Sequence, residues 1–130
     1  MRYIDIWKKE VNNHLDIHVF PINNNGQFYS YIESKIIFTP YTASVKPDSW
    51  DVFALLHEIG HILTNTPEMK RCLQEYLATQ WAIGEAKEIG FKVPASYIKT
   101  YQDYIWKWRE TSIKCRGKNV PSKEDLTLIA

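Results

Sequence analysis

Cysteine is scarce in this chain: Cys72 and Cys115 are the only two in 130 residues. Two thiols so far apart build neither a disulfide scaffold nor a zinc ribbon, and Cys72 is expected to be a semi-buried thiol. An excess of one charge is also missing. Sixteen Lys and Arg against fifteen Asp and Glu leave a formal charge of +1, which gives no reason to expect nucleic acid as a partner. Lys8 and Lys9, and the basic residues within 114–118, read as solvated surface. No apolar run approaches the length of a membrane span. Met1-Arg2-Tyr3-Ile4-Asp5 lacks the hydrophobic stretch of a signal peptide, so a cytoplasmic protein without membrane contact is expected. Internal repeats and low-complexity segments are absent. None of the four histidines lies beyond His61.

What remains is ordinary soluble composition, 45% hydrophobic and 24% charged, on a length that holds one core. A single domain over 1–130 is expected. Aromatic residues gather at Tyr97, Tyr101, Tyr104, Trp106 and Trp108, which suggests a helix packed on the core or on a partner.

The most informative stretch is His57-Glu58-Ile59-Gly60-His61. Residues four apart on a helix stand one above the other on one face. His57 and His61 can thus offer both imidazoles to one metal ion, with Glu58 beside them as a general base. Two neutral nitrogen ligands, an open coordination position and a carboxylate base are the requirements for zinc-dependent hydrolysis of a peptide bond. The surrounding pattern predicts a helix over 48–65. Pro47 precedes it, Asp48 or Ser49 can cap it, and Asp51 puts negative charge in its first turn. Val52, Leu55, Leu56, Ile59, Ile62 and Leu63 form a helical apolar stripe. The motif residues fall opposite, beside Ala54 and Asn65, on a face expected to line a cleft. Gly60 costs about 1 kcal/mol of helix propensity relative to Ala, a cost that makes sense if another backbone or a substrate comes close there.

Catalytic zinc takes three protein ligands. The longer pattern with a glycine and a third histidine downstream fails, because Thr64 and Pro67 occupy those places. An acidic ligand from a second helix, expected over 68–88 and stopped by Gly90, is the alternative. Glu68 sits at the helix start, where it complements the dipole, and Glu85 and Glu88 flank Lys87 like a solvated end. Glu75 lies two turns in and 14 positions past His61, the spacing for a returning antiparallel helix. Ala78 and Ala82 would let the two helices approach closely. Glu75 is therefore the expected third ligand.

The run from Phe53 to Leu63, together with Glu75-Tyr76-Leu77-Ala78-Thr79-Gln80-Trp81-Ala82, resembles the small zinc metallopeptidases of the ImmA/IrrE type. Those peptidases are common in bacteria, phages and integrated mobile elements. They pair a His-Glu-x-Gly-His helix with a Glu-x-x-Ala-x-x-x-Ala helix. The resemblance covers about 35 residues. It implies zinc held by His57, His61 and Glu75, Glu58 as general base, and a protein substrate such as a regulator or repressor. The helix-turn-helix that many members carry is not evident here.

The fold implied is α+β, a minimal zincin-like domain. A small N-terminal sheet of about three strands would pack on the active-site helix and the helices after it. The pattern predicts a helix over 4–13 and strands over 15–20, 28–33 and 35–39, the last two with an alternative reading as one strand bent at Ser34. His14 and His18 fall in the strand-like segment. Asn23-Asn24-Asn25-Gly26 is a turn signal, and Pro40 closes the β region. A helix over 95–114 follows Pro94, and 120–130 reads as a further short helix. Strand 35–39 is placed nearest the active-site helix, where its edge could pair with an extended substrate. Tyr41, Tyr76 and Tyr101 are unranked candidates for stabilising an oxyanion. Asp51, Asn65 and Glu85 are unranked candidates for holding the imidazoles. The rival to an enzyme is a non-catalytic zinc-binding or phage-type interaction protein that kept the fold. An intact Glu58 argues against it, since a structural zinc site needs no base.

Overall fold

The computed structural model describes residues 2–111. The expected helix over 120–130, Cys115, the basic residues within 114–118, the last residues of the helix expected over 95–114 and the Trp108 side chain lie outside the described residues. Among the described residues the fold is α+β, with five helices and one three-stranded mixed sheet. In chain order these are α1 (Tyr3–Asn13), β1 (His18–Ile22), β2 (Tyr29–Tyr31), β3 (Ile36–Pro40), α2 (Tyr41–Val45), α3 (Ser49–Thr64), α4 (Arg71–Ile89) and α5 (Ala95–Thr111).

The strand order is β1-β3-β2, with β1 parallel and β2 antiparallel to β3. This corrects the expectation that residues 35–39 offer an edge: β3 is the central strand, and the free edges belong to β1 and β2. Residues 28–33 and 35–39 are likewise not one bent strand. The chain reverses between Tyr31 and Ile36, with Lys35 at φ 54° closing the turn. β1 begins three residues later than its alternating pattern suggests, because His14 is the C-cap of α1 and Ile17 N–H bonds back to the His14 carbonyl. It also runs through Pro21 to Ile22. Proline is tolerated there because an edge strand has a side that needs no N–H donor. The Asn turn forms as expected, with Asn24 Oδ1 accepting from the Gly26 and Gln27 amides. The short α2 after Pro40 carried no sequence signal.

Helix α3 runs through the centre of the molecule. Its start is a reciprocal cap: Asp51 N–H donates to the Asp48 side chain at 2.8 Å, and Asp48 N–H to the Asp51 side chain at 3.0 Å. Val52, Phe53, Leu55 and Leu56 are wholly buried, and Ala54, His57 and His61 are buried too. The expected division into an apolar stripe and an open polar face is therefore too simple. A helix covered on several sides belongs to the core. Leu63, part of the expected stripe, is exposed instead, although its neighbour Ile62 belongs to a core cluster. One cluster joins Ile6 of α1, the α3 residues Val52, Phe53 and Leu56, the α4 residues Ala82, Ile83 and Ala86, and Ile105 of α5. The other joins Trp7, Ile17, Ile37 and Ala43 to Leu55, Ile59 and Ile62 of α3.

Helix α4 starts at Arg71, so Glu68 lies in the turn before it and Glu75 is its fifth residue. It stops at Gly90, whose φ of 74° is left-handed, with Phe91 N–H returning to the Ala86 carbonyl at 2.8 Å. That is the glycine stop the pattern predicted. Helices α3 and α4 touch at Gly60: a Cβ there would stand 2.6 Å from the Ala78 carbonyl oxygen and 3.1 Å from its Cα. The partner backbone inferred from Gly60 is α4. Ala78 and Ala82 are fully buried in the same contact layer.

Candidate metal centre

Close docking of α4 on α3 brings three chemically matched atoms together. His57 Nε2 lies 2.9 Å and His61 Nε2 3.3 Å from Glu75 Oε2. All three residues are buried, at 3%, 7% and 2% exposure. The edge of a tetrahedron built on bonds of about 2.0 Å is about 3.3 Å, so the spacing suits a zinc-sized ion at slight contraction. Glu75 Oε1 forms an ion pair with Arg71 Nε at 3.0 Å.

The far nitrogens of both imidazoles are also held. His61 Nδ1 lies 2.5 Å from Asn65 Oδ1. Asn65 Nδ2 donates to the Gln74 carbonyl at 3.2 Å and to Thr64 Oγ1 at 3.0 Å, while Thr64 Oγ1 donates to the Gly60 carbonyl. A carbonyl only accepts, so the Asn65 amide cannot be turned round. Its oxygen must face His61 and Nδ1 must carry a proton, so Nε2 is the nitrogen that meets Glu75: protonated, it donates to Oε2, and deprotonated, it offers its lone pair to a cation. On the other ring, Thr79 Oγ1 stands 3.2 Å from His57 Nδ1, placed to act in the same way.

The charges are strongly coupled. Burial alone would raise Glu75, but hydrogen bonds and attraction from His57 and His61 hold its carboxyl far below the usual range. Burial would lower His61, yet Glu75, Glu58 and Asn65 outweigh it and the net shift is upward. A cation placed here would compete with protons for the same lone pairs.

Above this tripod opens a cleft of about 400 Å³. His57, His61 and Glu75 form its floor, and the less buried Glu58 sits on its wall. Residues 27–32, including β2, form one side. Tyr101 and Tyr104 of α5, with Arg71 and Gln74 of α4, form the other. The Tyr101 ring lies 4.4 Å from that of His57 and stacks on Trp50 at 5.6 Å. Burial, then Glu58, Glu75 and Tyr104, push its hydroxyl well above the ordinary phenol range.

Among the oxyanion candidates only Tyr101 lines the cleft. Tyr76 packs on the core and Tyr41 is exposed on α2. Of the candidates for holding an imidazole, Asn65 does so, Asp51 is spent in the α3 cap, and Glu85 stands near His14 instead. Glu85 is accordingly not part of a free solvated end. The sequence pattern assigns Arg71, Thr79 and Tyr104 no role in the site. A helical step was available for two of them: Thr79 is one turn after Glu75, and Tyr104 nearly one turn after Tyr101. Cys72 is fully buried and does not line the cleft. No helix among the described residues is long and apolar enough to cross a membrane. No family model, curated protein or solved structure matches this chain.

Proposed function

We propose that this protein is a zinc-dependent metallopeptidase of minimal zincin-like design, cleaving peptide bonds in a specific protein substrate. The observation that carries this reading is the meeting of His57 Nε2, His61 Nε2 and Glu75 Oε2 on the floor of a cleft that Glu58 also lines. Among the described residues the cluster offers three donors and no fourth. A structural zinc site closes its fourth position with a protein ligand, whereas a catalytic one keeps it open, and this favours an enzyme over the non-catalytic alternative.

Zinc bound here supplies a Lewis acid and a lowered pKa for water. The chain's own residues do the rest. Glu58 takes the proton of the attacking water and passes it to the leaving amine, so one proton moves and none is lost. The Tyr101 hydroxyl, kept protonated by its buried and acidic surroundings, donates to the oxygen on which charge develops. Asn65 and Thr79 hold the imidazoles in orientation. The substrate backbone lies along β2, an edge strand whose residues line the cleft, and pairs with it by strand addition. The resemblance to ImmA/IrrE-type peptidases supports a regulator or repressor as the protein cleaved.

The test is Glu58→Gln, compared with wild type against candidate regulatory proteins. Zinc content should be unchanged and cleavage, read by mass spectrometry, should vanish. Retained cleavage would refute Glu58 as the base.

A further inference from the structure

A second cluster of ligand-type side chains lies away from the cleft. Glu10 and His14, four residues apart on one face at the end of α1, meet Glu85 of α4. His14 Nε2 lies 3.5 Å from Glu10 Oε2 and 3.8 Å from Glu85 Oε2, and the three donor atoms fall within 4.8 Å of one another. Glu85 is ten residues past Glu75, roughly 15 Å further along α4 at the helical rise, so the two clusters are separate.

Acidic side chains in proximity are common and mean little by themselves. Glu10 is different. It is 1% exposed, and among the described residues neither of its carboxylate oxygens, nor His14 Nε2, has a hydrogen-bond partner. Its ion-pair contact among the described residues is His14, itself a member of the cluster. Buried carboxylates are normally satisfied by donors, by an opposite charge or by a metal. This one has Oε2 set 3.5 Å from an imidazole nitrogen that a second carboxylate also approaches. His14 and Glu85 are only partly buried, which leaves a route for an ion and for the water that would complete its shell.

We propose that Glu10, His14 and Glu85 form a second cation site, taking a divalent transition ion and fastening the end of α1 to α4. One imidazole with two carboxylates is a donor set for zinc or manganese. The ligand separations, slightly wider than in the cleft, leave room for either. This site does not rest on the peptidase reading, since it would stand if the cleft bound nothing.

The test uses the full chain, stripped with chelator and titrated with Zn²⁺ alone and Mn²⁺ alone by calorimetry, with metal content checked after dialysis. Wild type should bind about two zinc ions, one per three-ligand site. His57→Gln/His61→Gln should keep one ion, and Glu85→Gln should lose one. Glu85 is partly exposed, so this variant avoids disturbing the core, and an unchanged far-ultraviolet dichroism spectrum checks that. In the His57→Gln/His61→Gln background, added zinc should raise Tm, and Glu85→Gln should abolish the rise. A single ion lost with the two histidines and untouched by Glu85→Gln would overturn the proposal. So would a Tm response indifferent to Glu85, the result expected if the cluster shares only a proton. Failure of the peptidase reading would show instead as no ion lost in His57→Gln/His61→Gln.

Discussion

His61 Nδ1 and Asn65 Oδ1 form a hydrogen bond whose direction is determined, because the Gln74 carbonyl can only accept from the Asn65 amide and the Thr64 hydroxyl spends its hydrogen on the Gly60 carbonyl. One turn of helix thus sets which nitrogen of His61 is available as a ligand. Removing this control in Asn65→Ala should weaken zinc binding about 10- to 100-fold, measured by competition with a chromophoric chelator. Affinity equal to wild type would show that the amide is dispensable.

Tyr101→Phe removes a hydroxyl and leaves the ring that packs on His57 and Trp50. If the hydroxyl stabilises the developing oxyanion, kcat should fall about 100-fold or more while KM and zinc content hold. A change confined to KM would place Tyr101 in substrate binding instead.

Gly60→Ala should destabilise the fold although alanine is the better helix former. The added methyl would meet the Ala78 backbone at 2.6 Å, and backbone cannot step aside like a flexible side chain. The gain of about 1 kcal/mol in propensity is set against an overpacking cost of about 1–3 kcal/mol. Zinc affinity should drop with it, because Glu75 rides on the helix that is pushed away. Urea denaturation and metal titration of the same sample report both. A more stable variant with full affinity would contradict the close approach.

Glu10 gives a pH dependence with a definite sign. In the metal-free protein, burial and then the Glu85 charge raise its carboxyl from 4.5 to about 7. The folded chain then holds a proton that the unfolded chain has released, so stability falls as pH rises through that window. The contribution is fully present below 4.5 and lost above about 7, and amounts to about 3 kcal/mol at most. Urea unfolding in chelator at pH 4.5 and pH 8, wild type against Glu10→Gln, isolates it. Parallel pH profiles for the two proteins would rule the shift out.

Much of the cleft floor was legible because helices write their contacts locally. The Asp48 cap, the four-residue spacing of His57 and His61, and the small residues Gly60 and Ala78 all follow one period of 3.6. Glu75 could be chosen because a short connection obliges α4 to run back along α3. The sheet was harder. Alternation marks residues as strand but says nothing of who pairs with whom, so the central place of β3 and the parallel β1 pairing were not accessible. His14 was drawn into a strand because the alternating residues after it look continuous with it. Its meeting with Glu85, 71 residues later, is a product of tertiary packing that no local pattern carries.

The tripod is divided between two helices, and this orders events in the life of the chain. While α4 is still being made, His57 and His61 are a pair of imidazoles without their carboxylate, and they cannot grip an ion firmly. Only after the ribosome has released residues past Thr79, and Ala78 has seated against Gly60, does the third donor swing into range. On the proposed reading, loading with metal is therefore a late step of biogenesis, since the site is complete only once α4 has docked.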